Sequence, residues 1–130
     1  YSRIIDLKDD DNFNRVVITY SEFSDCKPFV SLYKANRTEK CRSAINTSIT
    51  KNDWHNLVLV TNSQNVLLYI DGKEYFLFNY NSNCTQSYVG RNLFIGKRDS
   101  SLDSFSNIDI DELKIYNRSL TPDEIMENID

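Results

Sequence analysis

The sequence predicts an all-β fold, a two-sheet antiparallel β-sandwich or jelly roll with one short C-terminal helix. Three observations predict it. Short apolar runs with turn residues between them recur along the chain. The aromatic residues are mostly Tyr and Phe, 8 and 7, which favour strands, whereas Ala, the best helix former, occurs only at positions 35 and 44. Asp71-Gly72 stands between the apolar runs 66–70 and 73–78. That is the signature of a type I′ hairpin, whose two central residues both take positive φ.

The elements follow in order. Residues 4–7 predict a first strand, closed by the acidic loop 8–12, and residues 16–20 a second, rich in Val, Ile and Thr. A third spans 29–34 after Lys27-Pro28, and a fourth spans 44–49. Lys51-Asn52-Asp53 is turn chemistry before Trp54. Residues 55–61 then carry Leu57-Val58-Leu59-Val60 and predict a buried central strand. The hairpin comes next, followed by a strand at 93–95 ending on Gly96. The last strand is predicted at 109–116, where Leu113 and Ile115 alternate with Glu112, Lys114 and Tyr116. Thr121, Pro122 and Glu124 then spell a capping box with proline at the first helical position. Leu120 and Ile125 are spaced to close over it as a hydrophobic staple.

A chain of 130 residues with 40% hydrophobic content fits one folded domain, 1–130. Its net charge of −4 opposes a nucleic-acid backbone. The contiguous apolar runs have strand length, so no membrane-spanning segment is expected. The start at Tyr1, without an initiator Met, leads us to expect a piece of a longer chain.

Cys26, Cys41 and Cys84 have no CxxC spacing, and His55 is the one imidazole, so no metal site is expected from them. In an oxidising compartment they allow one disulfide and leave one thiol over. Cys26–Cys41 closes the shortest loop and is the expected pair, with Cys84 free or bonded outside the chain; the other pairings stay open. In a reducing compartment all three would be buried thiols. Sequons stand at Asn36, Asn46, Asn83 and Asn117. The first three are glycan candidates, while Asn117, at the junction before the helix, is read as a turn-former. The run Asp9-Asp10-Asp11 offers oxygen ligands to Ca²⁺, against the plainer reading of a solvated acidic loop. No other cofactor is expected.

Four segments in sequence share a pattern. Trp54-His55-Asn56-Leu57-Val58-Leu59-Val60 resembles a Trp-His-x-Val/Leu core strand, and Leu67 to Lys73 a Leu-x-Leu-Tyr-Val-Asp-Gly hairpin. Leu93-Phe94-Ile95-Gly96 resembles an Ile-Gly strand, and 110–125 an Asp-Glu-Val-x-Ile-Tyr-Asn-Arg-x-Leu ending. Together they resemble the laminin-G-like domains of the concanavalin A-like lectin/glucanase superfamily. The resemblance is loose over 1–50, and such domains usually begin with a strand or two before the position of Tyr1. Either those strands lie outside this chain or the sandwich is trimmed at one edge, and a trimmed sandwich would expose an unpaired strand edge to a completing segment or partner.

The same resemblance implies an extracellular, secreted or cell-surface binding and adhesion module whose partner is a protein or a glycan. The alternative is a structural domain assembling with the rest of its parent chain or another subunit. Some laminin-G-like domains hold Ca²⁺ at the rim, which is where Asp9, Asp10 and Asp11 would act. Catalysis is disfavoured. Retaining glucanases of the superfamily resemble Glu-x-Asp-x-x-Glu on one strand, and the positions here are Asp109, Asp111 and Lys114, which lack the proton donor. Asp111 and Glu112 would point to opposite faces of a strand. No catalytic residue is assigned, and His55 is read as structural. Tyr20, Phe23, Tyr80 and Tyr88 are either a sugar-stacking platform or core, and no ligand-binding residue is singled out.

Overall fold

The computed structural model describes residues 2–8, 15–20, 26–33, 39–62, 64–79, 92–97 and 107–129. They form β1 (Ser2–Lys8), β2 (Arg15–Tyr20), β3 (Pro28–Tyr33), β4 (Glu39–Ala44), β5 (Leu57–Thr61), β6 (Asn65–Ile70), β7 (Lys73–Asn79), β8 (Asn92–Ile95) and α1 (Pro122–Glu127). A five-stranded sheet runs β4-β3-β2-β1-β8 and a three-stranded sheet runs β5-β6-β7. All pairings are antiparallel. The expected two-sheet β fold with a C-terminal helix is therefore present.

Alternation along the strands builds two cores. Ile18 of β2, Val30 and Leu32 of β3, Val66, Leu68 and Ile70 of β6, and Leu77 of β7 meet between the sheets, with Leu57 and Leu59 of β5 packed against them. The residues between them on β5 and β6 face the other way. Val60 and Tyr69 form the second core with Ile125 of α1, and Val58, Leu67 and Leu120 pack around it. The helix thus clasps the outer face of the small sheet, as Leu120 and Ile125 predict. Ile125 is wholly buried.

The hairpin and the helix start follow the sequence closely. Asp71 and Gly72 take φ of 51° and 82°, as a type I′ turn requires. Thr121 accepts from the Glu124 N–H while the Glu124 carboxylate accepts from the Thr121 N–H, completing the capping box.

Three expectations are corrected. The fourth strand is Glu39–Ala44, not 44–49: Phe29 pairs with Ala44 and Tyr33 with Glu39, a register that a short link after β3 permits. Its Glu, Lys and Arg residues hide the strand period and suit an edge. Among the described residues the strand expected at 55–61 stands at the edge of its sheet, not at the centre, and Trp54 before it is 71% exposed. The last strand, 109–116, pairs with no described strand. There Glu112 takes a left-handed φ of 49°, and its N–H donates to Asp111 Oδ1 at 2.8 Å. That local bond breaks the alternation and leaves Leu113 and Ile115 exposed.

Cys26, just before β3, is a buried free thiol, and Cys41 stands on β4 opposite Leu32.

A candidate binding cleft beside β5

The turn 51–53, with Asn52 at φ 62°, delivers His55 to the start of β5. The His55 Nδ1–H donates to Asp71 Oδ2 at 2.8 Å. The other carboxylate oxygen, Oδ1, accepts from the Asn56 N–H at 2.9 Å. On the far side of the ring, His55 Nε2 lies 3.0 Å from both Thr50 Oγ1 and the Thr50 carbonyl. A neutral ring accepts from the hydroxyl there; a charged ring donates to the carbonyl. The bond to Asp71 raises the His55 pKa, outweighing partial burial. For Asp71, desolvation pushes the carboxyl up, but the bonds from His55 and Asn56 together hold it below its ordinary value. His55 is thus a tie between β5 and the hairpin turn.

Beyond this tie, β5 borders a cleft. The inner faces of β1 and β2 (Ile4, Leu7, Val16, Ile18) form one wall, β5 another, and residues 107–120 a strap across the mouth; the cavity holds about 1670 Å³. Trp54, Ile110, Leu113, Ile115 and Tyr116 line it and are exposed. The strap is fastened at its C-terminal end. Ser119 Oγ donates to the Thr61 carbonyl at 2.7 Å. Arg118 forks onto Glu124, Nη2 to Oε1 at 2.8 Å and Nη1 to Oε2 at 2.9 Å. That fork, with the Thr121 N–H, lowers the Glu124 pKa to about 2.

Of the sequence-predicted sites, Asp9, Asp10, Asp11, Asn36, Asn83, Cys84, Phe23, Tyr80 and Tyr88 lie outside the described residues. Asn46 is exposed in a bend, and Asn117 is exposed on the strap. Tyr20 lines the cleft. Among the described residues, no group of His, Cys, Asp or Glu could hold a metal ion, and no helix is long and apolar enough to cross a membrane. Asp109, Asp111 and Glu112 lie exposed on the strap, with Lys114 Nζ 3.4 Å from Glu112 Oε2. Sequence reasoning missed Trp54 as a surface group and Arg118 as a clamp. The turn residues just before Trp54, and the capping-box acid six positions after Arg118, were the available signals.

The family described as the concanavalin A-like lectin/glucanases superfamily, in its laminin-G group, matches residues 1–126. The chain belongs to this superfamily. No curated protein matches it. A solved structure of an S-layer domain-containing protein from Clostridium thermocellum, residues 221–444, is similar at 22% identity with a TM-score of 0.41. The alignment covers 98% of this chain and 62% of that one, so this laminin-G-like chain spans less than two thirds of its length.

Proposed function

We propose that the chain is a non-enzymatic binding and adhesion module of an extracellular or cell-surface protein, and that it holds a protein partner in the cleft beside β5. The observation that carries this reading is a cavity of about 1670 Å³ with the large apolar side chains of Trp54, Leu113, Ile115 and Tyr116 exposed on its lining. Large apolar patches on a surface mark interaction sites. Membership of a superfamily rich in binding domains supports the same reading, and the sequon at Asn46 is exposed, as a glycan acceptor in an extracellular setting would need to be. Catalysis is not part of it, since Lys114 stands where the third acid of a retaining glucanase would be.

A glycan partner has one observation in its favour: Trp54, beside Asn52 and Asp53, offers an open ring for a pyranose face. The aliphatic walls favour protein, because Ile4, Leu7, Val16, Ile18, Leu57 and Leu59 give sugar hydroxyls no side-chain partner. Binding of the domain to an immobilised panel of extracellular proteins and to a glycan array decides. Protein binding lost in Leu113→Asp supports the reading, and protein binding unchanged in that variant overturns it. Glycan binding lost in Trp54→Ala puts the glycan reading in its place.

A further inference from the structure

We propose that the cleft's occupant is an extended peptide strand, alternating apolar and polar residues with Lys or Arg at its flanks, that adds to the free edge of β5. This rests on the cleft reading above and names the partner's chemistry. The Asn56 carbonyl accepts from the Asp71 N–H at 2.9 Å, and the pairing continues as Val58 with Tyr69 and Val60 with Leu67. In an antiparallel ladder alternate residues exchange bonds. Val58 and Val60 therefore bond β6, while the N–H and C=O groups of Leu57, Leu59 and Thr61 point away from it. The Thr61 carbonyl takes Ser119 Oγ. Among the described residues no strand meets the rest of that edge. Leu57 and Leu59 thus present a donor and an acceptor each, the groups that strand addition uses. An added strand would turn every second side chain toward Leu57, Leu59, Val16 and Ile18, and the others toward the strap.

Two other occupants fit less well. The strap cannot serve as the ladder partner through its middle, because Glu112 is left-handed and its N–H is donated to Asp111. A second copy would bring like charge against like charge. Among the described residues of the rim, the acids Asp53, Asp109, Asp111 and Glu112 outnumber Lys51 and Lys114, and Arg118 is held by Glu124. The same acidity complements basic flanks.

The test is titration of the domain with a synthetic peptide of about seven residues, alternating Val and Thr between terminal lysines, with amide exchange recorded. We expect saturable binding that weakens with added salt, slowed exchange at the Leu57 and Leu59 amides, and at least a tenfold loss for a peptide N-methylated along one edge. An apolar fluorescent dye displaced by Leu113→Asp, with no peptide binding, overturns the strand proposal and leaves the cleft reading standing. No dye binding and no peptide binding overturns both. Leu57 and Leu59 amides already protected in the monomer identify the strap as the occupant, and protection with dimerisation identifies a second copy; either overturns the proposal. Glu112→Val, which disfavours the left-handed kink, is expected to weaken the peptide several-fold by straightening the strap.

Discussion

His55 Nδ1 stands 2.8 Å from Asp71 Oδ2, joining the first turn of β5 to the hairpin between β6 and β7. The contact has a pH signature. The folded pKa of His55 is raised above 6.5, so its contribution is full below 6.5 and lost as pH rises through the raised value. The folded pKa of Asp71 is lowered below 3.8, so its contribution is full above 3.8 and lost as pH falls through the lowered value. Both are present together between 3.8 and 6.5. Urea midpoints across pH are expected to favour that window over pH 8. In Asp71→Asn, which keeps a side chain tolerant of positive φ, this dependence should flatten; an unchanged profile would remove the tie from the account.

Gly72 seats the helix on the hairpin. A Cβ there would lie 2.8 Å from Met126 Sδ and 2.9 Å from Ile129 Cδ1, at a φ of +82°. Gly72→Ala is expected to destabilise by at least about 1–2 kcal/mol from the backbone alone. Thermal unfolding checks it, and adding Met126→Ala should relieve only the crowding.

Arg118 ties the strap to the helix. Its fork holds Glu124 at a pKa of about 2, below the usual 4.5, so this contribution is present above 4.5 and lost as pH falls through about 2. Arg118→Ala should move acid unfolding to higher pH, as read by circular dichroism. Thr121→Ala, which removes the cap acceptor, should cost about 0.5–2 kcal/mol at neutral pH.

Ile125 is the clasp's buried anchor among Val60, Tyr69 and Leu120. Ile125→Ala is expected to cost about 2–5 kcal/mol. Denaturant unfolding measures it, and a loss under 1 kcal/mol would mean the helix does not cover the small sheet as described.

What the sequence disclosed was local. Asp71-Gly72 and the Thr121–Glu124 box each lie within four residues, so chemistry and geometry are read together. The cleft was not legible, because among the described residues it arises where β5 and residues 109–116 do not pair. Leu57-Val58-Leu59-Val60 looks the same at an edge as at a centre, since α1 covers one face and the core the other. The alternation of 109–116 is genuine, but one residue, Glu112, breaks it. The cysteines show the same limit of local reading: loop length takes no account of register, and register sets Cys41 opposite Leu32.

Residue-resolved amide exchange of the free domain along β5 tests the central claim, an open edge beside an apolar cleft, most directly. Slow exchange at Val58 and Val60 with fast exchange at Leu57 and Leu59 is the predicted pattern. Equal protection at all of them would contradict it.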